Sequence, residues 1–336
     1  MKPLVVVDAD VLGRRRTGDE TYVLNLLRAL PAAAPDLRLA AVTRRPDLVP
    51  AGVEPLELPA RAQEWRMAWS LPRLLRRVGP ALAHFQHALP LACPCPAVVT
   101  VHDLSFERDA AAMGWRDRLV FRVAVPRAAR RAARVLTVSE RTRRDLVELY
   151  GIPGARIVVT PNGVDPAFAP GGEPDGFVLF VGAVQARKDP LAAAEAAAEV
   201  GLPLVVVGPE KDAVLARRLR EGGADVRGYV PTEALARLYR EAACVVLPSR
   251  YEGFGLPLVE AMASGTPVVA APDPALREVA GEAAVFAERD GLADGIRRAL
   301  ADRDRLAAAG LARAQRFSWE ETARRTGEVY REVLAR

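Results

Sequence analysis

Two glutamates flank the start of an expected helix in PSRYEGFGLPLVEAMASGTPVV, residues 248–269. A strand ends at Leu247, a loop carries Glu252, Gly253, Phe254 and Gly255, and Leu256 leads into Pro257, a residue suited to the first turn of a helix. Such a loop turns several backbone N–H groups toward one point, where a phosphate or a sugar hydroxyl can sit. Glu252 precedes the helix and Glu260 lies about one turn inside it, so two carboxylates can bracket a polyhydroxylated ligand. The plainer alternative is a tight glycine turn with Glu260 complementing the helix dipole. A second chemical signal is VLFVGAVQARKDP, residues 178–190, which delivers Arg187 and Lys188 from a strand end to a helix start. Arginine as a fork and lysine as a point charge suit a diphosphate, although a solvated basic pair is the alternative in an arginine-rich chain.

Two further loops follow apolar strands. In TVHDLSF, residues 100–106, His102 and Asp103 stand at a strand's carboxyl end, where a histidine can bind a hydroxyl, exchange a proton or serve structure alone. In GRRRTGDET, residues 13–21, Gly18 allows close approach of backbone, and Thr17 or Asp19 can cap the helix that follows. Gly13 and Gly18 do not form G-x-G-x-x-G, which argues against a nicotinamide dehydrogenase. His84, His87, Cys93 and Cys95 lack a usual zinc spacing, and the Asp8/Asp10 pair belongs to the front half of the chain, so no metal is expected. Neither a nucleophile elbow nor a G-x-x-x-x-G-K-[ST] loop occurs.

Positioning these residues requires a regular scaffold. Short apolar strands at 4–8, 37–43, 81–85, 97–101 and 134–138 alternate with helical patterns at 19–30, 64–78, 115–133 and 140–150. The pattern restarts with strands at 177–181, 204–207, 244–248, 267–271 and 283–286 and helices at 190–200, 212–221, 232–241 and 257–264. Strands apolar throughout and separated by helices indicate parallel sheets covered on both faces. The expected domains are 1–165 and 177–317, with PAFAPGGEPDG (166–176) as linker and an amphipathic helix at 318–336. With 336 residues, 50% hydrophobic and 26% charged, the chain suits two folded domains and excludes disorder. Three cysteines and an N-terminus without a signal-peptide pattern point to the cytoplasm. Of the 47 basic residues only Lys2, Lys188 and Lys211 are lysines, so the +5 net charge says less about partners than its distribution does.

In this order the motifs resemble the retaining glycosyltransferases of family 4, mannosyltransferase-like group 1 enzymes. The resemblance runs from Gly18 through VHDLSF, VLTVSERTRRDLVELYGI, VTPNGVD, VGAVQARKD and VRGYVPTEALARLYREA to EGFGLPLVE. It implies an α/β chain with the GT-B fold, two facing Rossmann-like doubly wound domains with an interdomain cleft. It also implies a nucleotide-diphosphate sugar, GDP- or UDP-linked, held by the second domain without a metal. Arg187 and Lys188 would hold the diphosphate and Glu260 the ribose. Glu252 and the amides of Gly253, Phe254, Gly255 and Leu256 would hold the sugar, with Tyr229 and Val230 beside the base. His102 would meet the transferred sugar, Gly18 would approach the phosphates, and the last helix would return to the first domain. Two departures stand out: Ala183 replaces an arginine common in relatives, and only Gly18 remains of paired glycines, followed by Asp19.

Glycosyl transfer needs a leaving diphosphate to be stabilised as positive charge grows at the anomeric carbon, which Arg187, Lys188 and a helix N-terminus can do. No in-line carboxylate nucleophile is evident, and the resemblance implies front-face transfer with retention, with mannose the favoured hexose. The expected acceptor is a saccharide or a lipid-linked acceptor. The basic amphipathic stretches 64–78 and 115–134, each interrupted by a proline (Pro72, Pro126), allow peripheral contact with the inner face of the plasma membrane; a packed core with a solvated face explains them equally. Nucleic acid is not an expected partner. Rival readings are a nucleotide-sugar epimerase, a phosphorylase, or a catalytically silent sugar- or membrane-binding module.

Overall fold

The computed structural model describes residues 2–14, 17–59, 62–109, 114–172 and 176–336. The chain divides into unit 1 (Met1–Glu107, Met113–Gly163 and Trp319–Arg336) and unit 2 (Val164–Ser318 with Arg108–Ala112). Unit 1 carries strands β1 (Leu4–Asp8), β2 (Arg38–Thr43), β3 (Glu54–Glu57), β4 (Leu82–Gln86), β5 (Ala97–Val101), β6 (Arg134–Thr137) and β7 (Ile157–Val159). Their order is β3-β2-β1-β4-β5-β6-β7. Unit 2 carries β8 (Val178–Val181), β9 (Leu204–Val207), β10 (Asp225–Gly228), β11 (Cys244–Leu247), β12 (Val268–Ala270) and β13 (Val285–Phe286), ordered β10-β9-β8-β11-β12-β13. The strand pairings are parallel in both sheets.

The sequence explains this pairing. Central strands such as LVVVD, AVVTV and CVVL are apolar along their length because helices cover both faces of each sheet. Strand order reverses between β1 and β4 in unit 1 and between β8 and β11 in unit 2. Loops leaving the carboxyl ends of such neighbours diverge to opposite faces, and the crevice between them is where doubly wound sheets bind ligands.

Three sequence expectations change on inspection. The 166–176 stretch, read as a linker, is packed on unit 2 as far as it is described: Phe168 is buried edge-to-face on Tyr239 at 5.5 Å. Residues 173–175 of that stretch lie outside the described set. The 64–78 helix is three pieces, Gln63–Trp65, a π-helical turn at Arg66–Ser70, and a helix at Leu71–Val78 with Pro72 in its first turn. Pro72 has no N–H to give and its ring crowds the preceding turn, which the wider π turn accommodates. That turn leaves the Met67 carbonyl to accept from Leu91 N at 3.1 Å. Pro126, by contrast, interrupts nothing: the helix Trp115–Arg131 runs through it.

The last helix, Trp319–Leu334, folds with unit 1. Its Tyr330 hydroxyl lies 2.6 Å from His84 Nδ1, and His84 Nε2 lies 2.7 Å from Thr100 Oγ1. Arg331 pairs with Asp36, and the Thr322 hydroxyl donates to the Pro161 carbonyl. Burial, reinforced by nearby His102, pushes His84 down to about 3. A depressed folded-state histidine is protonated first in the unfolded chain, so its stabilising contribution is complete above the ordinary value and shrinks as pH falls toward the folded value. His102, which burial likewise pushes down to about 4, lies in the same unit. Unit 1 should therefore lose stability between pH 6.5 and 5, by up to about 1.4 kcal/mol per pH unit from each of His84 and His102. Urea unfolding at pH 7, 6 and 5 checks this; a flat profile over that window contradicts it.

Candidate active site

Unit 2 brings three of the expected residues, Arg187, Lys188 and Glu252, together at its strand-order reversal. The loop after β8 ends in a 3-10 turn, Ala186–Lys188, that presents Arg187 and Lys188; Asp189 then caps the helix Pro190–Glu199. The chain is tight here: a Cβ on Gly208, which follows β9, would stand 2.1 Å from the Gly182 carbonyl oxygen. Only glycine permits that approach. The loop after β11 returns against the same turn. Arg187, itself buried, donates through Nη1 to the Tyr251 carbonyl and lies 4.0 Å from Glu252 Oε2, while Lys188 Nζ donates to Glu252 Oε1. Arg187 Nε is buried with no hydrogen-bond partner. A buried guanidinium donor left unpaired is rare and points to a missing acceptor.

Electrostatics keep this cluster charged. Burial works against ionisation of Glu252, but Lys188, then Arg187 and the Ser249 hydroxyl, outweigh it and hold the carboxyl below its ordinary value. Within this trio two cations face one carboxylate. Gly255 sits at φ +94°, where a Cβ would press to 2.5 Å from Leu276 Cδ2, and it opens the helix Leu256–Ala263. Phe254 is buried edge-to-face on Phe317 at 5.6 Å, so its side chain anchors the loop and only its backbone is left for a ligand. One turn further, Glu260 accepts from the Tyr239 hydroxyl at 2.7 Å. Burial, with Asp165 nearby, raises Glu260 to about 7 against the lowering effect of Tyr239, so near neutrality the carboxyl is partly protonated and can both donate and accept. Tyr229 and Val230 stand apart. They follow β10 at the sheet edge, two strands from β8, and Tyr229 is half exposed.

In unit 1, His102 directly follows β5. Its Nε2 lies 2.9 Å from Gln86 Oε1, the Tyr22 ring meets it edge-on at 4.6 Å, and the His87 ring is 5.1 Å away. Burial is the main force pushing His102 down to about 4, with His87 adding to it and Asp19 and Asp103 opposing. The imidazole is therefore neutral at pH 7. Asp103 accepts from Ser105 N and Oγ and so shapes the turn. Gly18 is exposed in the first turn of the helix Thr17–Ala33, with nothing within 4 Å of a would-be Cβ, so packing does not demand a glycine there.

Sequence reasoning missed the partners of the acidic pair Asp8 and Asp10 at the end of β1. Asp8 and Asp10 are held by Arg66, which is fully buried: its Nη1 donates to Asp8 Oδ2 at 3.0 Å and its Nε lies 3.5 Å from Asp10. Arg44 Nε donates to Asp10 at 2.9 Å, and Arg14 also pairs with it. Arg66 is thus no surface cation of a basic helix. It also missed Gln86, His87 and Asp19 around His102; the signal available was position, since His87 follows the carboxyl end of β4 as His102 follows that of β5.

These two doubly wound units, with a cation–carboxylate cluster at the strand-order reversal of the second, define a class that comparison with known proteins identifies. The "Glycosyltransferase Family 4" description matches residues 16–168 and "Glycosyl transferases group 1" matches residues 165–316. The chain belongs to the family 4, group 1 glycosyltransferases. It is 33% identical to an O-antigen chain mannosyltransferase B of Escherichia coli over 59% of this chain and 60% of that one. It is 34% identical to a D-inositol 3-phosphate glycosyltransferase of Nocardia farcinica over 71% of this chain and 62% of that one. The matched part thus spans about 60% of the length of these curated relatives. Among solved structures, sucrose-phosphate synthase from Thermosynechococcus elongatus superposes with a TM-score of 0.83 over 99% of both chains at 22% identity, which establishes the GT-B fold. No helix among the described residues is long and apolar enough to cross a membrane.

Proposed function

We propose that the protein is a retaining hexosyltransferase that takes a sugar, mannose by preference, from a GDP- or UDP-linked donor and transfers it to a saccharide or lipid-linked acceptor without needing a metal. One observation carries the reading: Arg187, Lys188 and Glu252 converge at the β8/β11 reversal, with Arg187 Nε lacking an acceptor. In this reading the two cations and the amides of Gly253, Gly255 and Leu256 take up the charge of the departing diphosphate, the work a divalent ion does elsewhere. The anomeric carbon–oxygen bond to phosphate breaks as the acceptor oxygen bonds on the same face, and the acceptor proton passes to the leaving diphosphate. Glu260 holds the ribose hydroxyls, Glu252 the hexose, and neutral His102 orients the transferred sugar. Support for mannose comes from the VHDLSF-type resemblance and from the name of the Escherichia coli relative; the inositol-phosphate relatives favour a polyol acceptor instead.

The test is product analysis by mass spectrometry over a panel of GDP-, UDP- and ADP-sugars with saccharide and polyol acceptors, with and without chelator. One donor should give an acceptor-linked product of retained anomeric configuration whose yield the chelator leaves unchanged. Donor hydrolysis or epimerisation without an acceptor, or a requirement for free phosphate, contradicts this reading.

We further propose contact with anionic membrane through an apolar face of unit 1. Trp115, Leu119, Val120 and Val123 are exposed along one helix, and Trp65, Trp69 and Leu91 are exposed nearby in sequence or by hydrogen bonding. Arg127 Nη2 donates to the Leu91 carbonyl, and Leu91 N donates to Met67, which ties the three segments together. Arg73 stacks over Trp69 and Arg116 over Trp115. Tryptophans beside arginines fit the headgroup boundary of an acidic bilayer. Replacing Trp115 and Leu119 by serine should lower binding to phosphatidylglycerol vesicles at least tenfold in co-sedimentation; undiminished binding contradicts the assignment.

A further inference from the structure

We infer that Asp19, His87 and His102 of unit 1 form a binding site for a borderline divalent cation, Zn2+ fitting best. Three separate elements bring them together at the carboxyl edge of one sheet: Asp19 lies in the first turn of the helix after β1, His87 directly follows β4, and His102 directly follows β5. These strands are neighbours, and β1/β4 is the strand-order reversal of unit 1. One ligand atom from each side chain lies within 4.8 Å of the others. Side-chain rotation that brings these donors to about 3.4 Å from one another lets one ion make the roughly 2.0–2.2 Å bonds that zinc forms with imidazole nitrogen and carboxylate oxygen.

Two further features of the cluster point to a ligand. His87 Nδ1 is buried with no hydrogen-bond partner, an acceptor or donor with nothing to meet. His102 lies with Nε2 against Gln86 Oε1; with that N–H donating, Nδ1 keeps its lone pair. An oxygen accepting the remote N–H of a ligating imidazole is the arrangement that fixes tautomer and ring orientation in metal centres. The donor set of two imidazoles and one carboxylate prefers Zn2+, Co2+, Ni2+ or Cu2+ over Mg2+ or Ca2+. Three protein ligands leave a fourth position for water or a sugar hydroxyl. A bound cation takes the His102 lone pair, so it competes for the imidazole assigned above to the transferred sugar; cation binding itself does not depend on that assignment.

Other candidate ligands lie apart. His84 has both ring nitrogens engaged by Tyr330 and Thr100. Cys93 and Cys95, with sulfurs 3.9 Å apart, form a separate thiol pair that a soft metal can also take, so the test must distinguish it.

The test titrates the full-length protein with Co2+, read by visible absorption, and measures Zn2+ stoichiometry by equilibrium dialysis at pH 7.5 in excess Mg2+. Wild type and the Cys93→Ser/Cys95→Ser variant should each bind one equivalent. His87→Ala and Asp19→Asn should each weaken binding at least tenfold, with unchanged circular dichroism showing that both variants fold; Asp19, at a helix start, remains informative should the histidine variant fail to fold. No binding by wild type, an undiminished equivalent in Asp19→Asn, or loss of binding in the cysteine variant overturns the inference.

Discussion

Replacing Arg66 by alanine should cost unit 1 about 3–5 kcal/mol, the range for removing one partner of a buried ion pair. The guanidinium is inaccessible to solvent and is the one cation that reaches both Asp8 and Asp10 among the described ion pairs. Without it Asp8 loses its paired cation at the end of a fully covered strand, while Asp10 retains Arg44 and Arg14. Because the penalty is that of a stranded charge and not of a lost contact, Arg66→Met combined with Asp8→Asn should recover a large part of the loss. Urea unfolding of the two variants checks this. A loss below about 1 kcal/mol for the alanine variant would mean that water or a neighbouring arginine takes over the role.

The second large effect concerns Lys188. Its ammonium donates to Glu252 and, with Arg187, sets two cations against that carboxylate. In the proposed function, Lys188→Ala would remove a charge-assisted hydrogen bond to phosphate and leave Glu252 facing the diphosphate with only Arg187 to offset it. Both changes act in the same direction, so nucleotide affinity should fall about 100-fold and turnover by about 10²–10³. Lys188→Met should behave alike, which separates loss of charge from loss of bulk. Calorimetric titration with the preferred nucleotide and initial-rate measurements read the two effects. A variant with a lowered rate and unchanged nucleotide affinity would place Lys188 away from the diphosphate.

Much of this was legible in the sequence because it depends on local rules. The apolar runs LVVVD, AVVTV and CVVL can only be covered strands, and the glycine-containing loop ahead of Pro257 has few conformations open to it. Two of the edge strands were not legible. β3 reads EPLE and β10 reads DVRG, mostly exposed stretches whose strand state comes from a neighbour's hydrogen bonds and not from their own composition. The alanine-rich helices Leu292–Ala301 and Arg303–Ala314 escaped for a related reason, since alanine marks neither face clearly. Arg66 was misread because arginine beside tryptophan looks like surface; its burial depends on a π turn and on acidic partners 58 residues away. In unit 2, spacing singled out Arg187, Lys188, Glu252 and Glu260, and the structure brings the first three together. The group around His102 was not found, because Asp19, His87 and His102 meet only through the order of β1, β4 and β5.

The reading of unit 2 as the holder of a nucleotide-diphosphate sugar is tested most directly by a crystal structure with the preferred donor bound. Diphosphate oxygens should lie within hydrogen-bond distance of Lys188 Nζ and the Arg187 guanidinium, with the ribose at Glu260 and the hexose at Glu252. A donor whose diphosphate sits elsewhere, with the Lys188–Glu252 pair untouched, would contradict it.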